Sequence, residues 1–173
     1  MRDSKERRIA DLLWAPWRMD YILAEKKGQK CIFCGADRQT DQERLILYRT
    51  SHSLVMMNRY PYSYAHLMVA PARHVDQVRK LKKPEMGDIL FCLGRSIEIL
   101  RQAFRPDGFN VGMNLGQVAG AGILGHLHLH IVPRWQGDTN FMPVLAGTTV
   151  VPQALRELAA QLRAALLNEP AAG

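Results

Sequence analysis

Three of the six histidines in this 173-residue chain stand at alternate positions: Gly125-His126-Leu127-His128-Leu129-His130-Ile131-Val132. Read as a β-strand, residues two apart share a face. His126, His128 and His130 then line one side, and Leu127, Leu129 and Ile131 the other. The apolar side reads as core. Three ionisable rings in a row are poor core material. An edge strand with solvated or internally paired histidines is the bland reading; a reactive site is the sharper one, and the clustering favours it. Imidazole serves as nucleophile, general acid or base, and metal ligand.

A second constellation joins Cys31 and Cys34, in Cys31-Ile32-Phe33-Cys34, to His74 and, as a fourth candidate, His126. Two thiolates and two imidazoles suit a tetrahedral structural zinc site. A metal-free knuckle and a redox pair remain open, although the βαβ context of a thioredoxin-like motif is missing. A third feature is the glycine-rich run Gly116-Gln117-Val118-Ala119-Gly120-Ala121-Gly122, just before the histidines. Glycines let backbone amides approach a phosphate and form anion nests. A neutral histidine held in one tautomer could attack phosphorus there and form a phosphoramidate. Arg134, just past the strand, is expected to add positive charge near the phosphate.

These groups must be positioned by a sheet. Leu45–Tyr48 and Leu54–Asn58 flank Thr50-Ser51-His52 and read as a hairpin. Ala65–Ala70 reads as a third strand, ended by Pro71, and Gly108–Leu115 as a fourth. The histidine stretch is the fifth. Val75–Leu81 reads as a short helix. From Pro84, Met86, Ile89 or Leu90, Leu93, Ile97, Leu100 and Phe104 recur at steps of three and four. They mark a long amphipathic helix ending near Arg105-Pro106. Cys92 lies near its apolar face and reads as a buried, inert thiol. Leu155, Leu158, Leu162 and Leu166 mark a C-terminal helix. Strands grouped around one long helix imply an α+β fold with a mainly antiparallel five-stranded sheet. The expected division is an N-terminal docking segment over 1–30, carrying Trp14, Trp17 and Tyr21, a main domain over 31–145, and a C-terminal helical tail over 146–173.

Composition sets bounds. Hydrophobic residues are 47% and charged residues 23%, ordinary for a globular protein. Lys and Arg number 23 against 16 Asp and Glu, a net charge of +7, which favours anionic partners. The basic residues are scattered, so a small phosphorylated substrate fits better than a nucleic-acid track. No apolar run approaches membrane-spanning length, and Met1–Arg8 leads into no signal-peptide core. With an odd cysteine count, these features place the chain in the cytoplasm, away from membranes.

The His126–His130 motif resembles the histidine triad family, whose hallmark is His-x-His-x-His followed by apolar residues. Val55-Met56-Met57-Asn58-Arg59, Ala65-His66-Leu67-Met68-Val69-Ala70-Pro71 and Arg73-His74-Val75 resemble other parts of the family pattern, so the likeness covers roughly residues 31–135. Trp14-Ala15-Pro16-Trp17-Arg18 and the stretch from Pro133 to Pro143 resemble a narrower bacterial branch akin to diadenosine tetraphosphate phosphorylases.

The resemblance implies a small α+β fold, usually a homodimer, and nucleotidyl transfer or hydrolysis at an α-phosphate. By it, His128 is the nucleophile, flanked by His126 and His130 and supported by His66. Asn58 matches a ribose contact and Asn114 a phosphate contact. Cys31, Cys34, His74 and His126 match the metal ligands of zinc-bearing relatives. A divalent cation could accompany the substrate phosphates. Where many family hydrolases carry Gln and Ser or Thr to grip phosphate, this chain has Gly122 and Ile123, which leaves backbone donors. Ala65 replaces the usual Gly before His66. The expected activity is cleavage of dinucleoside polyphosphates through a nucleotidyl-histidine on His128, with inorganic phosphate favoured over water as acceptor. The alternatives are a nucleoside phosphoramidase and a non-catalytic, zinc-stabilised nucleotide- or RNA-binding module.

Overall fold

The computed structural model describes residues 31–35, 38–116, 118–119, 123, 125–138 and 154–167. The aromatic segment over 1–30, Gly122 and the stretch over 139–153 lie outside the described residues. Five strands form one antiparallel sheet: β1 (Ile46–Arg49), β2 (Ser53–Met57), β3 (Leu67–Pro71), β4 (Gly108–Gly112) and β5 (Leu129–Arg134). Their spatial order is β1-β2-β3-β5-β4. Helix α1 (Lys83–Phe104) links β3 to β4, and α2 (Leu155–Leu167) follows β5. This is the expected α+β fold.

Both faces of the sheet centre are covered, so β2 and β3 are buried along their whole length. Alternation still sorts their side chains into two cores. Val55, Met57, Leu67, Val69, Leu129 and Ile131 face Ile89, Cys92, Ile99 and Leu100 of α1 and Leu158, Ala159 and Leu162 of α2. Leu54, Met56, Met68 and Ala70 face the other way, with Ile46 and Phe33. Met68 pairs with His130 while Val69 pairs with Leu129. The histidine row therefore lies on the face away from the helices. On α1, Ile89 takes the core position, whereas Met86, Leu90 and Phe91 are exposed.

Helix α1 starts where Pro84 supplies a preset φ. Glu85 bonds the Lys82 amide at 2.8 Å and pairs with Arg73 at 2.8 Å, tying the helix to the end of β3. It ends at Arg105, a left-handed cap at φ 48°, just before Pro106.

Four local expectations need correction. The third strand starts at Leu67 because Ala65 sits at φ 56°, in a turn. That conformation costs a non-glycine residue about 1–2 kcal/mol. Val75–Leu81 holds only a three-residue 3-10 turn, Val78–Lys80. Val75 O accepts from Leu127 N at 2.6 Å, which keeps the start of that segment extended. The fourth strand ends at Gly112, short of Leu115. The histidine strand begins at Leu129, so His126 and His128 precede it. Continuing the β3–β5 register would bring Leu127 opposite Pro71, which has no N–H to donate. The ladder stops there.

Leu162 is fully buried where α2 closes the helix-side core. Leu162→Ala should lower unfolding stability by about 2–5 kcal/mol. Chemical denaturation would measure this, and a loss under about 1 kcal/mol would show that α2 contributes little to that core.

Candidate active site and metal centre

The histidine row is neither solvated nor at an edge: β5 lies between β3 and β4. His126, His128, His130 and His66 retain 2%, 5%, 8% and 1% of their exposure. Four buried imidazoles require internal partners, and those partners set their tautomers.

His128 Nδ1 donates to the main-chain oxygen of His126 at 2.9 Å. Nδ1 therefore carries the hydrogen, and Nε2 keeps its lone pair. Burial pushes the His128 pKa below the usual 6.5, against the raising effect of that bond, so the neutral ring prevails at neutral pH. A neutral imidazole with Nε2 bare is the form that can attack an electrophile.

A second pair lies beside it. Tyr62 N and Asn58 Nδ2 donate to His66 Nδ1 at 3.1 and 3.3 Å. His66 Nε2 then donates to His130 Nδ1 at 2.9 Å, leaving the His130 hydrogen on Nε2. The His130 and His128 ring centroids are 4.8 Å apart, nearly perpendicular. The site thus combines a bare ring nitrogen with a protonated one, the elements of nucleophilic attack with acid–base assistance.

His126, on the same side, has different partners. Its Nε2 donates to Pro71 O at 2.8 Å, leaving Nδ1 as an acceptor. Burial, with His74 and His128 nearby, lowers its pKa as well. Nδ1 lies 3.2 Å from Cys31 Sγ and 3.5 Å from Cys34 Sγ, and His74 Nδ1 lies 3.2 Å from Cys34 Sγ. All four donor atoms fall within 4.8 Å of one another, so the group could hold a metal ion. Tetrahedral ligands bonded at about 2.0–2.3 Å sit about 3.3–3.8 Å apart, close to these separations. Burial and the neighbouring Cys31 push the Cys34 thiol up to about 11, opposed by the Arg44 charge. A bound cation would reverse that penalty.

Several contributors carried no motif of their own. Phe33, inside the Cys-x-x-Cys turn, sits 5.0 Å from both the His126 and His128 rings. Arg44 Nη2 donates to Ile32 O at 2.6 Å and Cys34 O at 2.7 Å, bracing that turn. Tyr62 stacks 4.7 Å from His66 and 5.6 Å from His130, and its hydroxyl accepts from Asn114 Nδ2 at 3.5 Å. Phe33 could have been suspected from its place between two candidate ligands; Arg44 and Tyr62 showed no comparable signal.

The expected nucleotide contacts fall unequally. Asn58 and Asn114 stand at the site, through His66 and Tyr62 respectively. Ile123 packs its side chain against the Phe33 core and offers no polar group. Arg134 is a correction. Asp138 takes its guanidinium at 2.6 and 2.8 Å, and Asn110 accepts at 2.8 Å, so its charge is already engaged. Cys92 is buried as expected, and burial raises its pKa.

Comparison with known proteins gives a consistent assignment. The family model described as the HIT domain matches residues 39–137. A protein from Mycobacterium tuberculosis named AP-4-A phosphorylase is 38% identical over 154 residues, covering 84% of this chain and 78% of that protein. Plasmodium falciparum diadenosine triphosphate hydrolase in complex with cyclomarin A shares the fold at TM-score 0.61 and 19% identity, over 78% of this chain and 80% of that one. A Zn-bound histidine triad family protein from Mycobacterium smegmatis does so at TM-score 0.58 and 24% identity, over 71% and 84%. The triad, its buried partners and these matches agree, and the chain belongs to the HIT-domain, or histidine triad, family.

Proposed function

We propose that this protein cleaves dinucleoside polyphosphates through a nucleotidyl-histidine on His128. The hydrogen bond from His128 Nδ1 to the His126 carbonyl carries the reading, because it bares Nε2 on a buried, neutral ring. Nε2 attacks an α-phosphorus and forms a P–N bond. The P–O bond to the departing nucleotide breaks, and its electron pair leaves with the bridging oxygen. Protonated His130 Nε2, backed by His66, is the group suited to meet developing negative charge. Asn58 and Asn114 are the proposed ribose and phosphate contacts. Gly122 and Ile123 are the proposed main-chain phosphate contacts, of which Gly122 lies outside the described residues.

The second step transfers the nucleotidyl group from His128 to an acceptor. The relative named AP-4-A phosphorylase, similar over most of its length, supports inorganic phosphate in that role. The engaged state of Arg134 removes one argument for phosphate that its sequence position suggested. Diadenosine tetraphosphate plus phosphate should give ADP and ATP. The test is product chromatography with and without inorganic phosphate. AMP and ATP formed at a rate indifferent to phosphate would make the enzyme a hydrolase. Absence of turnover would leave a nucleotide-binding module.

The ligand set Cys31, Cys34, His74 and His126 supports a structural zinc ion. Zinc would supply charge and closure to the knuckle, while the chain's own bonds orient His128. The exposed Met86, Leu90 and Phe91 on α1 are compatible with a homodimer. Three free thiols suit a reducing compartment such as the cytoplasm. No helix among the described residues is long and apolar enough to cross a membrane.

Replacing the nucleophile tests the covalent step. His128→Ala should reduce turnover by several orders of magnitude while nucleotide still binds. In the unaltered enzyme, protonation of His128 removes the attacking lone pair, so its lowered pKa should put the acid limb of kcat/KM below pH 6.5. Near-normal turnover of His128→Ala would end the mechanism.

Elemental analysis should find about one zinc per chain. Chelation, or Cys31→Ser, should lower thermal stability along with metal content. Equal stability of metal-free Cys31→Ser protein would restore the metal-free knuckle.

A further inference from the structure

A cleft of about 570 Å³ opens on the His126 side of the triad. One wall is the segment over 76–79; the other includes Asn114, Ile123 and His126. Its volume falls within the roughly 300–1,000 Å³ typical of small-molecule sites. Neither His128 nor His130 lines it. It therefore adjoins the reacting centre without containing the nucleophile, as a site for the part of a substrate that is not transferred would.

Its charge suits an anion. Asp76 is engaged by Lys80 at 2.7 Å, so this pair is neutral together. Arg79 remains as the positive group on that wall. Arg79 Nε donates to Gln77 Oε1 at 2.8 Å, so one edge of the guanidinium is steered by a neutral neighbour, and no carboxylate among the described residues pairs with its charge. Val78 and Leu127 add apolar surface beside it. A cationic fork beside apolar walls matches a phosphate chain bearing a nucleoside. The segment is anchored at its start, where Val75 O accepts from Leu127 N at 2.6 Å, and Gly125 lies beside His74, where a Cβ would stand at an ordinary contact distance of 3.5 Å from Nε2. The wall that carries Arg79 is thus attached to the histidine segment itself.

We propose that this cleft receives the departing nucleotide, and that Arg79, oriented by Gln77, grips its phosphates farther from the cleaved bond and so selects long polyphosphate substrates. The inference rests on the cleavage reading above. For diadenosine tetraphosphate the departing group is ATP: its terminal phosphate adjoins the α-phosphorus under attack, and the phosphates nearer its own adenosine lie farther along the chain, with the length to reach beyond His126.

The test compares diadenosine tetraphosphate with the p-nitrophenyl ester of AMP, which transfers the same nucleotidyl group but releases an uncharged phenol or its phenolate without phosphates. Arg79→Ala should lower kcat/KM for the tetraphosphate roughly five- to tenfold, mainly through KM, and leave the ester unchanged. Arg79→Lys should restore part of the loss, and Gln77→Ala should give a smaller one. Raising salt should narrow the difference between unaltered protein and Arg79→Ala. Equal losses on both substrates, or no loss on the tetraphosphate, would overturn the assignment. If the unaltered protein cleaves neither substrate, the cleavage reading fails, and binding of inorganic tripolyphosphate to the full chain decides the cleft separately. Weaker binding by Arg79→Ala would support an anion site at Arg79, and unchanged binding would remove it.

Discussion

A buried imidazole can act as a nucleophile only if it stays neutral and presents a particular nitrogen bare. The bond from His128 Nδ1 to the main-chain oxygen of His126 meets that requirement, and burial completes it by disfavouring the imidazolium. Because the acceptor is backbone, the tautomer depends on where the chain runs through residue 126. The arrangement around that residue therefore bears on the chemistry.

His126 is fixed from three directions. Its own Nε2 holds Pro71 O, its neighbour Leu127 holds Val75 O, and its Nδ1 meets the two cysteine sulfurs. Arg44 in turn braces the cysteine turn, and Phe33 within that turn packs on both His126 and His128. The candidate metal centre and the candidate nucleophile thus share one residue, the first through its side chain and the second through its carbonyl. Disturbing the knuckle is expected to reach His128 by this short route, without any change in the helices.

The sheet keeps stability and chemistry on separate faces. Both helices pack on the face that receives Leu129 and Ile131, and the histidines share the opposite face with Met68 and Phe33. A sheet clad by helices on one side leaves the other free to hold a site that polar and aromatic neighbours must complete. Those neighbours come from short irregular segments: the cysteine turn, the turn carrying Tyr62, and the segment over 74–79. Such segments can vary without unmaking the core.

What was legible in the sequence was local and periodic. Alternation at His126, His128 and His130 put the rings on one side because successive residues in extended chain point oppositely. Steps of three and four located α1 because a helix repeats every 3.6 residues, and Pro84 and Pro106 marked its ends. The Cys-x-x-Cys spacing announced a ligand pair for the same kind of reason. Tertiary structure decided everything that depended on what lies opposite. Pro71, fifty-five residues from His126, ended the ladder and made the strand start at Leu129. Leu127 held Val75 extended, so the expected helix shrank to one 3-10 turn. Asp138 engaged Arg134, and Tyr62 and Phe33 became walls of the site. Periodicity reports which way a side chain points; only the folded chain supplies the partner that it meets.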